Sequence, residues 1–249
     1  MPKTALALTL ADPQGYLVGK LEDLLPGMRQ RFDALAVHTT TSTHRGVLGL
    51  LQSAGVSLAS AADPDAIGRH RREAVALALE TGAVDHILYL DLDYALRWLE
   101  NDADELEAAV RRIRRSDCTV IGRGPRSRAA LPRRLATTEG IVNEIFRLVS
   151  GRPWDVMMAA RGLSRGAAEA IVEGCEVDTI GNDCAWPLFC QSRGFVLDYL
   201  EADGLTYRTN ADYWVDAEDR HDEDPRAWAT RVGLAAQQVE AMRPYMGPP

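Results

Sequence analysis

The 249-residue chain lacks the features that mark several large classes of protein. No apolar run approaches the roughly 20 residues needed to span a bilayer. The first residues, MPKTALALTLADPQG, are short for a secretory signal and contain no convincing cleavage site. The four cysteines include no Cys-x2-Cys pair, so they are expected to pack as small buried residues. We therefore expect a cytoplasmic protein without a membrane span.

Basic residues are also in the minority. Lys and Arg number 28 against 36 Asp and Glu, which gives a formal charge of −8. Nucleic-acid binders usually show a basic face, so we expect no nucleic-acid partner. The basic stretch at 122–134 has three interpretations: it contacts an anionic acceptor, it folds over a diphosphate as a lid, or it is a solvated loop.

Short β-like runs alternate with helix-length segments in the first half of the chain. Strands are predicted at 4–10, 34–40, 56–60, 86–93 and 118–122, and helices at about 15–30, 44–55, 63–83 and 103–115. This alternation predicts an α/β fold, with a mainly parallel central sheet and helices on both faces. A hydrophobic content of 46% supports a sizeable core.

The second half is less regular. Helices are predicted at 135–151 and 225–242, a strand, turn and helix at 154–174, a helix interrupted near Pro187 at 182–194, and a strand at 195–202. Since no low-complexity linker or internal repeat is present, we expect one domain in which residues 123–249 elaborate residues 1–122.

Two carboxylates, Asp91 and Asp93, follow the apolar run HILYL. In a parallel sheet, ligands bind beyond the carboxyl ends of the strands. Strand residues i and i+2 face the same way, so both side chains are predicted to face one site. Hard oxygen ligands suit Mg²⁺ or Mn²⁺, which in turn suits a diphosphate. The alternative is that the two residues merely begin a turn. Haloacid dehalogenase phosphatases also place D-x-D after a strand, but DLDYALRW fits their following loop poorly.

The stretch GRHRREAVALALETGAVDHILYLDLD contains a glycine-plus-basic turn, an alanine-rich helix, an apolar strand and D-x-D, in that order. This order resembles the GT-A glycosyltransferases, and most of all the mannosylglycerate-synthase type; the family-2-like transferases are more distant. The resemblance covers about residues 4–208. It implies a single GT-A-like, Rossmann-like domain and a hexosyltransferase that uses a nucleoside-diphosphate sugar, Mg²⁺ or Mn²⁺ and a small soluble acceptor. Residues 1–122 would bind the donor and 123–249 the acceptor; a homo-oligomer is possible.

The resemblance also implies a donor site. Leu8 to Asp12 would begin the nucleotide pocket, and Gly68, Arg69 and Arg72 would line the nucleotide or diphosphate. A guanidinium suits phosphate recognition, although these arginines could equally mark a solvated helix start. His70, in the same turn, is expected to be structural.

For the metal, the resemblance makes Asp93 the principal ligand, while Asp91 would contact the ribose or the metal. The related enzymes complete this site with a histidine, but Tyr207 stands in that place. His221, Asp203 or water could replace it, and His221 lies in the acidic run EDRHDED.

For the acceptor, the resemblance points to residues 150–165 and to Asp183. This carboxylate could orient an acceptor hydroxyl or act as a general base, or it could cap a helix as Asn182 would. Trp154 and Trp186 could each stack on a sugar or pack in the core.

Two other functions stay open at this stage. A nucleotidyltransferase would normally carry a glycine-rich N-terminal loop with a basic residue, for which only Gly15, Gly19 and Lys20 are present. A non-catalytic nucleotide-binding relative is favoured by the Tyr207 departure.

Overall fold

Seven strands form one sheet in the computed structural model, which describes residues 2–63, 65–207 and 221–247. The strands are β1 (Thr4–Leu10), β2 (Ala34–Thr40), β3 (Ser57–Ala61), β4 (His86–Asp91), β5 (Cys118–Arg123), β6 (Ala160–Ser164) and β7 (Leu197–Ala202). Their order is β3-β2-β1-β4-β6-β5-β7, and only β6 runs antiparallel to its neighbours. The predicted mainly parallel α/β sheet is confirmed.

The described residues also form ten α-helices. They are α1 (Val18–Arg31), α2 (Arg45–Ser53), α3 (Ile67–Glu80), α4 (Leu92–Asn101), α5 (Ala103–Ile113), α6 (Pro125–Ala129), α7 (Arg133–Ser150), α8 (Arg165–Gly174), α9 (Asn182–Ser192) and α10 (Pro225–Met242). Within the described ranges, no helix is both long and apolar enough to cross a membrane.

Helices cover both faces of the sheet because successive strand residues point to opposite sides. Leu6 and Leu8 of β1 pack in a large core with α1, α4 and α5. Ala5 and Ala7 face the other way, toward α3, α8 and α9. The small side chains on this second face let α3 lie directly on β1 and β2.

Two helices, α4 and the short α6, were not predicted. β4 ends at Asp91, two residues earlier than predicted, and α4 begins at once with Leu92. Its buried face is formed by Leu92, Ala95, Leu96 and Leu99, which recur at helical spacing. The apolar residues therefore continue through D-x-D, but their spacing changes from the two-residue period of a strand to the 3.6-residue period of a helix.

Helix α9 was predicted to be interrupted near Pro187, but it runs unbroken from Asn182 to Ser192. Proline has no N–H to donate to the carbonyl four residues earlier, here that of Asp183. The buried guanidinium of Arg161 supplies the missing donor, with Nη2 2.7 Å from that carbonyl oxygen. This replacement hydrogen bond explains how the helix tolerates an internal proline.

Candidate active site

A cavity of about 410 Å³, called here the first cavity, opens at the carboxyl ends of β1, β2 and β4. Its walls are Thr9, Leu10, Ala11, Asp12, Tyr16, Leu17, His38, Thr40, Ile67, His70, Arg71, Asp91 and Asp93. The sheet register places Thr9 beside His38 on one side and beside Asp91 on the other. Three parallel strands thus deliver polar side chains in one row, on the face covered by α3.

Asp91 is held by three donors. The hydroxyls of Thr9 and Tyr89 donate to its Oδ1 at 2.5 and 2.7 Å, and Arg71 Nη2 lies 3.2 Å from Oδ2. Hydrogen bonds of this kind fix the orientation of the carboxylate. The side chain still lines the first cavity, so these three donors set how Asp91 faces it.

Asp93 lies in the first turn of α4, and not in the strand as predicted. The change of period still brings both carboxylates to the first cavity. Burial, followed by the charge of Asp91, raises the pKa of Asp93 to about 6, while Arg97 and backbone N–H groups oppose the rise. Within the described ranges Asp93 makes no ion pair. A cation beside the two carboxylates would stabilise the negative charge of both.

Arg71, which the sequence analysis did not single out, is the arginine that borders the first cavity. It is 5% exposed and donates to Asp183 at 2.6 Å, Asn182 at 3.0 Å and Asp91 at 3.2 Å. The spacing of apolar residues in the sequence could have identified Arg71, because it shares the buried face of α3 with Ala74, Val75 and Ala78.

The predicted phosphate arginines lie elsewhere. Arg69 and Arg72 both bind the carboxylate of Asp178, at 2.8 and 2.6 Å, and neither lines the first cavity. A Cβ on Gly68 would lie 2.3 Å from the Val177 carbonyl oxygen, so glycine permits close contact there. These three residues attach the start of α3 to the segment before α9.

Asp12 and Leu8 have different environments. Asp12 lines the first cavity, and its carboxylate accepts the backbone N–H groups of Gly15, Tyr16 and Leu17 at 2.9–3.0 Å. It thereby shapes the turn after β1, where Gly15 has a φ of 77°. Leu8 is 1% exposed and packs in the core on the α1 face. The cavity wall therefore begins at Thr9, one residue later than predicted.

Asp183 is buried behind Arg71 and is not part of the cavity wall. It is 3% exposed, and its second oxygen accepts Gln238 Nε2 from α10 at 3.1 Å. Burial raises the pKa of Asp183, while the charges of Arg71 and Arg161 oppose the rise. This placement suits a role in positioning Arg71 and does not suit direct contact with an acceptor. Trp186 is also buried, edge-on to Tyr89, and so packs in the core.

The candidates for the last metal ligand lie around the starts of α6 and α7. The hydroxyl of Tyr207 accepts Arg134 Nη2 at 3.1 Å, and Asp203 accepts the backbone N–H of Arg126 at 2.8 Å. His221 begins a 3-10 turn, and residues 218–220 of its acidic run lie outside the described ranges. None of Tyr207, Asp203 and His221 lines the first cavity.

A second cavity, of about 370 Å³, is bordered by residues 123–155. Arg123 Nη1 lies 2.8 Å from Glu139 and 3.2 Å from Asp155, and all three side chains are buried. Trp154 lines this cavity and stacks on Tyr199 at 5.4 Å between ring centroids. The basic stretch 122–134 is therefore not one long loop: it contains the end of β5, helix α6 and the start of α7.

Comparison with known proteins adds information on the fold alone. No protein-family model matches the chain, and no curated protein matches it. Solved structures of Mycobacterium tuberculosis glucosyl-3-phosphoglycerate synthase do match. The complex with Mn²⁺, UDP-glucose and glycerol 3-phosphate gives a TM-score of 0.56 at 12% identity, over 100% of this chain and 81% of that one. The complex with Mg²⁺ and UDP gives 0.51 at 12%, over 100% and 80%. The predicted GT-A-like fold is confirmed.

Proposed function

We propose that the protein is a metal-dependent glycosyltransferase that moves a hexose from a nucleoside-diphosphate sugar to a small soluble acceptor. One observation carries the proposal: Asp91 and Asp93 share a cavity at the carboxyl ends of β1, β2 and β4, where an α/β sheet binds ligands. The shared fold supports it, since the matching synthase was crystallised with Mn²⁺ and UDP-glucose.

The donor set fits a hard divalent cation. Asp91 and Asp93 offer carboxylate oxygens, which Mg²⁺ and Mn²⁺ prefer, and the pKa of Asp93 is raised by burial and by the charge of Asp91, so a cation there would stabilise the Asp93 carboxylate. When bound, the cation would neutralise charge on the departing diphosphate. Asp91 would hold it in an orientation set by Thr9, Tyr89 and Arg71.

The rest of the first cavity suits a nucleotide. Its volume of about 410 Å³ lies within the range of small-molecule sites, about 300–1,000 Å³. The turn held by Asp12 brings Tyr16 to the wall, where its ring could contact a base. Residues 1–122 would thus bind the donor, as the sequence predicts.

The acceptor is proposed to bind in the half formed by residues 123–249. The second cavity supports this assignment: Trp154 lines it, with Tyr199 and Arg152 against its ring, and so do Arg128 and Arg147, which pair with Glu201 and Glu144. We do not assign proton transfer to Asp183, since Arg71 and Gln238 occupy its two oxygens.

A non-catalytic nucleotide-binding protein is the second candidate, favoured by the contact of Tyr207 with Arg134 where a metal-ligating histidine is expected. Nucleotidyl transfer has less support. Gly15 belongs to the turn around Asp12, and Lys20 pairs with Glu100, so these residues do not form a phosphate-binding loop.

The test is release of nucleoside diphosphate from UDP-, GDP- and ADP-hexoses in Mn²⁺, with phosphoglyceric acid and glycerol 3-phosphate as trial acceptors. The wild type should release nucleotide only with metal. Asp93→Asn should be at least 100-fold slower, and Asp23→Asn, on the exposed face of α1, should match the wild type. Metal-independent turnover, or equal rates in Asp93→Asn, would exclude the proposed mechanism.

A further inference from the structure

Two histidines of the first cavity face each other through one ring nitrogen and are anchored through the other. His38 lies two residues before the end of β2, His70 lies in the first turn of α3, and the two are 3% and 7% exposed. Their Nδ1 atoms are 2.9 Å apart. His38 Nε2 lies 2.7 Å from Glu73 Oε2, and His70 Nε2 lies 2.5 Å from the backbone carbonyl oxygen of Asp63.

The anchors determine which nitrogens carry protons. A carboxylate and a carbonyl oxygen can only accept, so both Nε2 atoms must donate. A neutral imidazole has one N–H, which leaves both Nδ1 atoms with bare lone pairs directed at each other. This arrangement is repulsive unless a cation lies between the two atoms.

Either a proton or a metal ion could supply that positive charge. A ligating histidine typically donates its other ring N–H to a carboxylate or a backbone carbonyl, as His38 and His70 do here.

We propose that His38 Nδ1 and His70 Nδ1 form a second metal site for a late first-row transition ion such as Zn²⁺. Glu73 and the Asp63 carbonyl would orient the rings, and the remaining coordination positions would open to the first cavity. The three side chains already place potential ligand atoms within 4.8 Å of one another. Two zinc–nitrogen bonds of about 2.0–2.1 Å in tetrahedral geometry need a nitrogen separation of about 3.3 Å, so a small ring rotation suffices.

This site is separate from the D-x-D carboxylates. His38 and Asp91 flank Thr9 on opposite sides, so two strand spacings of about 4.8 Å lie between their backbones. Imidazole prefers zinc-like ions, whereas carboxylates prefer Mg²⁺ and Mn²⁺. The proposal therefore stands whether or not the protein transfers sugars.

Calorimetric titration with Zn²⁺ in excess Mg²⁺ tests the site. The wild type should bind one Zn²⁺. His38→Ala and His70→Ala should weaken binding at least 100-fold, and Glu73→Ala by about 10–100-fold. Asp93→Asn should keep the site, as should His86→Ala, which removes a histidine at the opposite end of the sheet. Equal affinity in His38→Ala and wild type, or loss of binding in Asp93→Asn, would overturn the proposal.

A second measurement needs no variant. Nitrogen-detected NMR of the wild-type histidine rings should show both as Nε2–H tautomers, with both Nδ1 resonances shifting when one equivalent of Zn²⁺ is added. A single proton held between the two Nδ1 atoms that persists in excess Zn²⁺ would contradict the proposal.

Discussion

Each cavity is bordered by a buried arginine that joins two carboxylates, but the surrounding charges differ. In the second cavity Arg123 binds Glu139 and Asp155, and Arg231 reaches Glu139 at 2.6 Å, so both carboxylates have basic partners. In the first cavity Arg71 binds Asp91 and Asp183, and Asp93 has no ion-pair partner within the described ranges.

The difference indicates which cavity needs a cation. A basic partner offsets part of the cost of enclosing a carboxylate charge, although burial still raises the pKa of Glu139, and a carboxylate without such a partner would gain more from a metal ion. The first cavity has such a residue in Asp93, and the second does not among its described lining. This contrast supports the proposal that a metal binds at D-x-D and not in the second cavity.

The largest expected effect comes from Arg71. Arg71→Met leaves Asp91 and Asp183 without their shared cation, which should lower the free energy of unfolding by about 3–5 kcal/mol. Urea unfolding measures this change, with Arg69→Met as the matched exposed control, since Arg69 is bound only to Asp178. A loss below about 1 kcal/mol in Arg71→Met would show that the buried network contributes little.

The next prediction concerns which of the two cavities binds the metal. With Mn²⁺ and UDP at about 100 times their dissociation constants, the wild type should gain about 2.7 kcal/mol, or about 5–10 °C in Tm. Asp93→Asn should lose most of this gain, and Glu139→Gln, in the second cavity, should keep it even if its starting Tm is lower. Equal gains in the two variants would place the metal elsewhere.

A smaller effect follows from the pKa of Asp93. The folded-state pKa of about 6 lies above the usual 3.8, so the native protein binds the extra proton and metal-free stability should fall as pH rises from about 4 to 6. Asp93→Asn removes this term and should exceed the wild type by about 2 kcal/mol at pH 7.5 in EDTA, since solvent screening of the half-buried side chain reduces the about 3 kcal/mol that the full shift represents. The two proteins should converge near pH 4. Parallel stability curves in urea unfolding would contradict the raised pKa.

Much of the fold of residues 1–122 was predictable because strand and helix periods are local signals. β1 and β2 begin and end at the predicted residues, and the D-x-D position follows from the end of β4. α4 was missed because its apolar stripe directly continues that of β4, which hides the change of period.

The partners of the site residues were not predictable in the same way. The sequence favoured Arg69 and Arg72 as the arginines of the site, but Arg71 is the one that reaches the first cavity. Which arginine does so depends on the face of α3 that packs on the sheet and on Asp178, which binds Arg69 and Arg72 from more than 100 residues away. Asp183 was found by resemblance, but its burial behind Arg71 depends on the packing of α10. His38 and His70 contact each other because α3 packs across β2, and no local sequence pattern predicts that packing.

The smallest expected effect concerns those two arginines. Arg69→Gln and Arg72→Gln remove ion pairs to the half-buried Asp178 near the surface, and such pairs contribute about 0–1 kcal/mol. UDP affinity in Mn²⁺ should change less than threefold in either variant. A tenfold loss of UDP affinity would instead place Arg69 and Arg72 at the diphosphate, as the sequence suggested.

Asp91 and Asp93 are proposed to bind a metal together with a nucleotide. Calorimetric titration of UDP into the metal-free protein, and then into protein with saturating Mn²⁺, tests it most directly. We predict that Mn²⁺ tightens UDP binding at least tenfold in the wild type and has no effect in Asp93→Asn. Equal UDP affinity with and without Mn²⁺ in the wild type would contradict the account.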